Sequence, residues 1–250
     1  MKYDLSKLPA KTRDQILSSP KWIKFFSAFP AKLLGVGGDA KTVKGEKMGF
    51  YTAILYLTPA DGSGVNLCPL AVLAKCVEAC LNTAGRGAMS NVQMARLRKT
   101  LFFLQYRELF LAMLANEIKA LSRRYGSKLL VRLNGTSDIR WENYGIVQAF
   151  PEVQFYDYTK IPNRAVPANY DLTFSGSGVP EYQPIMFKAI SRGLRVAMVF
   201  RTEDSIPSSY AGLDVVSGDN SDIRHLDPNG VIVALYAKGK AKADQSGFVV

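Results

Sequence analysis

From residue 50 onward the chain repeats one pattern: a short, almost unbroken apolar run, then a polar cluster, then a crossover. The runs cover residues 50–58, 128–133, 153–158, 170–174, 194–200, 213–216 and 231–236. Their length, their β-branched and aromatic content and the Gly and Pro residues that bound them mark them as strands. They lack the alternation of a sheet with one wet face, so they point to parallel strands covered on both sides. Seven such strands in a 250-residue chain predict an α/β protein, a full or partial (β/α) barrel with mostly parallel strands.

The connections agree with this reading. Leu97, Leu101, Leu104, Leu111, Leu114, Ile118 and Leu121 recur at three- and four-residue steps, predicting one long helix over 91–124 with a single buried stripe. Its other side carries Arg96, Arg98, Lys99, Arg107, Lys119 and Arg123, and Gly126 stands where a helix ends. Residues 181–192 read as a further helix closed by Gly193. Residues 1–30 read as short helices, the second with Pro20 in its first turn, and 30–49 reads as a Gly- and Lys-rich loop. Gly35-Val36-Gly37-Gly38 has the glycines of a phosphate loop but no Gly-Lys-Ser/Thr after it, so that signal is weak. The expected organisation is an N-terminal helical extension and loop over 1–48 and one barrel-like domain over 49–250.

All three cysteines, Cys68, Cys76 and Cys80, lie within thirteen positions directly after the first strand, spaced Cys-x7-Cys-x3-Cys. A helix over 70–81 would set Cys76 and Cys80 on one face, a turn apart, with Cys68 on the loop ahead of it. Three converging thiolates can hold a metal or a cluster and leave one coordination position open. The alternatives are buried core thiols, or redox chemistry, for which the odd number and the missing secretory signal are a poor match. His225, the one histidine, would complete a Cys3His zinc site, but Cys68 and Cys76 are wider apart than zinc ligand pairs, and a histidine in an acidic loop suits an ion pair better.

In parallel α/β folds the loops after the strands carry the site. Here they supply Asn134-Gly135-Thr136-Ser137-Asp138, Asp157-Tyr158-Thr159-Lys160, Ser175-Gly176-Ser177-Gly178, Arg201-Thr202-Glu203-Asp204 and Ser217-Gly218-Asp219-Asn220-Ser221-Asp222. Each alone is ordinary turn chemistry; together they would ring one pocket with the cysteines. A formal charge of +11 favours a nucleotide or nucleic acid as partner, although evenly spread solvated lysines give the same total. No apolar run is long enough to span a membrane and the N-terminus has no apolar signal core, so the expectation is a cytoplasmic protein with reduced thiols and no membrane partner.

The strings Asn66-Leu67-Cys68-Pro69, Gly85-Arg86-Gly87, Arg132-Leu133-Asn134-Gly135-Thr136-Ser137-Asp138 and Phe155-Tyr156-Asp157-Tyr158-Thr159-Lys160 resemble a family of bacteriophage proteins known by gene-product number. The resemblance runs from about residue 30 onward and implies the cytoplasm of a host cell. More distantly, the layout is similar to radical S-adenosylmethionine (SAM) proteins, in which three cysteines after the first barrel strand hold a [4Fe–4S] cluster whose fourth iron binds SAM. That likeness implies Cys68, Cys76 and Cys80 as cluster ligands and Asn134, Gly135, Thr136, Ser137 and Asp138 near the methionine end. It implies Ser175, Arg201 and Glu203 near the nucleoside, and Asp138, Asp157 and Lys160 as catalytic polar contacts. The spacing departs from the usual Cys-x3-Cys-x2-Cys, and Ala79 stands where an aromatic residue is common. The competing expectation is a non-enzymatic phage protein in which a metal or cluster is a structural clip and the basic surface binds nucleic acid or a host protein.

Overall fold

The structure is a computed structural model that describes residues 1–37 and 40–250. The glycine-rich stretch 35–38 therefore runs outside the described residues at Gly38. Helix α1 (Ala10–Leu17) buries Ile16, and α2 (Pro20–Phe25) starts on a proline, whose missing amide costs nothing in a first turn. Strand β1 (Leu34–Val36) and helix α3 (Ala40–Lys47) follow in the stretch that reads as a loop. Neither leaves a periodic trace, because β1 has three residues and α3 is mostly Lys, Thr, Glu and Gly.

Strand β2 (Tyr51–Leu55) leads into the cysteine stretch, and then come α4 (Ser90–Gln105) and α5 (Arg107–Tyr125). The single helix predicted here is broken at Tyr106 (φ −135°, ψ 52°), whose hydroxyl donates to the Lys2 carbonyl at 2.7 Å. The leucine stripe survives the break because both helices lay one side against the same core, where Leu97, Leu101, Leu114 and Ile118 are buried. Gly126, at φ +56°, ends α5. Strands β3 (Leu129–Arg132), β4 (Gln154–Thr159) and β5 (Tyr170–Ser175), helix α6 (Gln183–Ile190), and strands β6 (Val196–Phe200), β7 (Ser209–Tyr210), β8 (Leu213–Ser217) and β9 (Ile232–Tyr236) complete the chain.

The strands form one sheet in the order β1-β2-β3-β4-β5-β6-β9-β8-β7. All neighbours from β2 to β8 are parallel, while β1 and β7 run antiparallel to β2 and β8. The parallel α/β expectation holds, but the sheet is not closed into a barrel. Its two rims are each covered by a short antiparallel strand, and among the described residues no pairing joins β1 to β7.

Side chains alternate across this sheet. On one face Leu129, Val131, Phe155 and Leu172 share a core with Phe103, Phe110 and Trp141 and with Tyr3, Trp22 and Phe26 of the N-terminal segment. Each large apolar side chain buried there is worth roughly 1.5–3 kcal/mol. A second cluster sets Phe174, Val196, Met198 and Ile232 against Met186 and Ala189 of α6.

The other face is filled toward the amino ends of the strands by the segment after β8. Ile223 packs on Leu130 and Tyr156. Arg195 grips Asp171 through two nitrogens at 2.5 and 3.0 Å, the Arg224 carbonyl at 2.6 Å and the Asn229 side chain at 2.9 Å. Open space is left at the carboxyl ends, where parallel sheets take ligands. None of the described helices is long and apolar enough to cross a membrane.

Candidate functional site

The cysteine stretch is not the helix expected over 70–81. Residues 69–79 form successive turns, with amide bonds stepping back three residues (Ala71 to Cys68), four (Ala74 to Leu70) and five (Cys76 to Ala71). Lys75 sits at φ +56°, a left-handed conformation that interrupts a right-handed helix. Cys76 and Cys80 are therefore not a helical pair, yet both line one cavity with Cys68. The loop is pinned from several sides. Ser177 Oγ donates to the Ala74 carbonyl at 2.9 Å, the Asp138 amide to the Leu67 carbonyl at 2.8 Å, and the Cys68 amide to Asn66 Oδ1 at 2.8 Å. Gly64 (φ +79°) passes so near the Lys7 carbonyl that an added Cβ would lie 1.8 Å from its oxygen, so only glycine fits there.

The cavity has a volume of about 1400 Å³ and lies at the strand carboxyl ends. Ile54, Ala197, Val199 and Leu235 give it an apolar floor. All three thiols are free and half-buried. Burial pushes Cys68 up to about 11, against the pull of a backbone hydrogen bond and the Lys160 ammonium, and it raises Cys80 as well. Lys160 stands among them, donating to Ser175 Oγ at 3.1 Å. Burial pulls its pKa down, but Cys76, Asp138 and Cys68 outweigh that and hold it above the ordinary lysine value.

Among the described residues no three His, Cys, Asp or Glu side chains are grouped to hold one metal ion. A single zinc with bonds near 2.3 Å would need its sulfurs within about 4.6 Å of one another. A cluster binds each thiolate through a different iron and takes more widely set ligands. The three thiols share the wall of one roomy cavity with a lysine that offsets their charge. His225 does not join them: it packs against Phe50 and Tyr156, ring centroids 6.0 and 5.8 Å away, and is not part of the cavity wall, which removes the Cys3His zinc reading.

The predicted loop after β3 does reach the cavity, but most of its polar groups are committed to the loop itself. Asn134 Oδ1 accepts from Ser137 Oγ, the Ile139 amide and Trp141 Nε1 at 2.9–3.1 Å. A Cβ on Gly135 would lie 2.8 Å from the Leu55 carbonyl oxygen, so glycine lets this loop close onto β2. Thr136 bonds the Leu57 carbonyl through its hydroxyl and offers its own carbonyl to Cys68 Sγ at 3.6 Å. Asp138 accepts from Thr159 Oγ1 (2.8 Å), the Lys160 amide (2.7 Å) and Arg164 (3.4 Å), so it aims Lys160.

Three predicted contacts fall outside the cavity. Asp157 is fully buried on the helix-packed face of β4, because Phe155, Asp157 and Thr159 share that face. There β3 and β4 pair only as far as Val131 and Phe155, and Asp157 fills the gap beyond. It accepts from the Leu133 and Asn134 amides at 3.1 and 3.0 Å and from Tyr170 Oη at 2.9 Å. Burial pushes its carboxyl up to about 6 against the pull of Arg132 and these bonds. Arg201 turns away to the Asp244 and Lys242 carbonyls at 2.9 and 3.3 Å, and Glu203 is exposed.

What sequence reasoning missed is the side of α4 that faces the cavity. Asn91, Val92, Ala95, Arg96 and Lys99 share one helical face and line its wall. A second apolar–basic stripe beside the leucine stripe was the available signal. Lys99 donates to the Leu33 carbonyl at 2.5 Å, and burial lowers it to about 8 despite the nearby Glu117 carboxylate.

Fold and site together define an α/β protein with an open, mostly parallel nine-stranded sheet and a thiol-lined cavity where its strands end. The chain belongs to the Gene product 88 family of phage proteins, whose model it matches over residues 32–250, a span that takes in the whole sheet. No curated protein and no solved structure matches it.

Proposed function

We propose that the protein holds a [4Fe–4S] cluster on Cys68, Cys76 and Cys80 and uses the cavity beneath it as a substrate pocket, in the manner of radical SAM proteins. The observation that carries this reading is the meeting of all three free thiols on one cavity wall, directly after the first parallel strand. When bound, such a cluster with one iron free of protein ligands supplies one-electron reduction to SAM chelated there.

The chain supplies the rest. Lys160 offsets the charge of the thiolates, and Asp138 fixes the backbone that carries it. Ser177 Oγ, through the Ala74 carbonyl, and the Asp138 amide, through the Leu67 carbonyl, hold the cysteine loop against the ends of β5 and β3. Ile54, Ala197, Val199 and Leu235 would give a bound substrate an apolar surface to rest on. A structural clip would be closed over by its surroundings, whereas these thiols open into about 1400 Å³ of space, which favours the enzymatic reading.

The test is to purify and reconstitute the protein without oxygen, then add SAM and a strong one-electron reductant. Thermal stabilisation by SAM and release of 5′-deoxyadenosine are the expected results. A cluster-loaded protein whose melting temperature ignores SAM and which releases no deoxyadenosine would overturn the enzymatic reading.

A further inference from the structure

From residue 118 to residue 137 the chain has no carboxylate, yet it carries Lys119, Arg123, Arg124, Lys128 and Arg132. Arg132 is buried and paired with Asp222, but the other four are exposed. They stand on the last turns of α5 and in the short turn that joins it to β3. Tyr125 stacks on Tyr51 with ring centroids 4.3 Å apart, which presses this end of the helix onto the start of β2. Strand β2 in turn pairs with β3 from Tyr51 and Leu129 onward. The four cations therefore gather at the amino ends of β2 and β3, the opposite end of the sheet from the cavity, and none of them lines it.

None of the four is in an ion pair among the described residues. Glu117, two residues before Lys119, is spent on the Leu33 and Leu34 amides at 2.8 and 2.9 Å. Lys119 and Arg123 are four residues apart, so like charges meet on the helix surface across about 6 Å of rise. A partner with closely spaced negative charges relieves that repulsion, and each strand of a nucleic-acid duplex carries one phosphate per ~3.4 Å of axis. Two other polyanionic partners fit less well. Single strands are held on open aromatic rings, whereas Tyr125 is stacked on Tyr51 and has the Arg124 guanidinium 5.1 Å from its centroid. Membrane surfaces are gripped by apolar side chains set among the cations, and no large apolar side chain between residues 118 and 128 is exposed.

We propose that Lys119, Arg123, Arg124 and Lys128 form a surface that binds the phosphate backbone of a nucleic-acid duplex without reading its sequence. The site is separate from the thiol-lined cavity and does not depend on a cluster. Four phosphate contacts give log affinity against log salt a slope of about −3.6, a fall of roughly 150-fold between 50 and 200 mM.

The experiment is fluorescence anisotropy of labelled DNA and RNA duplexes of about 20 base pairs, titrated with the full chain across that salt range. A single-stranded oligonucleotide and vesicles containing phosphatidylserine serve as comparisons. At least one duplex is expected to bind with this salt dependence. Arg123→Gln and Arg124→Gln are each expected to weaken binding about three- to tenfold and to make the slope shallower by about 0.9. The triple variant Lys119→Gln/Arg123→Gln/Lys128→Gln is compared with Lys7→Gln/Lys11→Gln/Lys24→Gln, which removes the same charge from exposed positions of the N-terminal segment and is expected to bind nearly as wild type. Circular dichroism and thermal melts accompany every variant, because cations at a helix carboxyl end also complement its dipole. No duplex binding at 50 mM salt, tighter binding of the single strand or the vesicles, or equal losses in the two triple variants would overturn the proposal. So would α5 variants that melt earlier but bind the duplex as wild type does.

Discussion

Replacing Asp157 by Ala tests whether this carboxylate is part of the framework and not of the chemistry. The change removes the acceptor for the Leu133 and Asn134 amides and for the Tyr170 hydroxyl, three donors in a site with no access to water. Each buried donor left without a partner costs about 1–3 kcal/mol, so the loss comes to roughly 3–6 kcal/mol after some relaxation. That is a large share of the 5–15 kcal/mol typical of a domain. In urea, at a slope of about 2 kcal/mol/M, the midpoint should fall by roughly 1.5–3 M with the slope unchanged. The assay is equilibrium urea unfolding followed by tryptophan fluorescence, since Trp141 sits in the loop that Asp157 supports through Asn134. A loss under 1 kcal/mol would refute the argument and would return Asp157 to the list of chemical candidates.

The same residue gives a pH signature. Its carboxyl is raised to about 6 in the fold, so between about pH 4 and 6 the unfolded chain gives up this proton first and the ionised form disfavours folding. The stability of wild type minus that of Asp157→Asn should therefore fall with rising pH by the order of 3 kcal/mol across that window and then level off; parallel curves would contradict it. Gly135→Ala should destabilise by about 1–3 kcal/mol, because its Cβ has nowhere to go between the Leu55 carbonyl and the Tyr56 ring, and thermal melts will read this. Ser177→Ala should cost about 1 kcal/mol and speed thiol labelling of Cys76 by Ellman's reagent, since it frees the Ala74 carbonyl that anchors the turn before it. Unchanged labelling would mean that the loop is held elsewhere.

Strand positions were legible because each central strand is a covered apolar run: predicted 153–158 became Gln154–Thr159 and 231–236 became Ile232–Tyr236. Barrel closure was not legible, since it depends on two rim strands of three and two residues that leave no pattern. The cysteine loop misled for a different reason. Leu70-Ala71-Val72-Leu73-Ala74 has helical composition, and the left-handed Lys75 that breaks it is set by anchoring to Ser177 and the loop after β3, contacts distant in sequence. For the candidate site, residue type pointed to loops of which several border the cavity, but not to the direction of each side chain. Asp157 and Lys160 lie three apart in one polar string, yet strand alternation sends one into the core and the other to the thiols.

The central claim is tested most directly by iron and acid-labile sulfide analysis, with a visible spectrum, on protein purified without oxygen. The measurement includes wild type and the Cys68→Ala, Cys76→Ala and Cys80→Ala variants. The account predicts about four iron and four sulfide per wild-type chain, a brown colour, and loss of both in each variant. Zinc without sulfide, or no metal in a folded wild type after reconstitution, would contradict it.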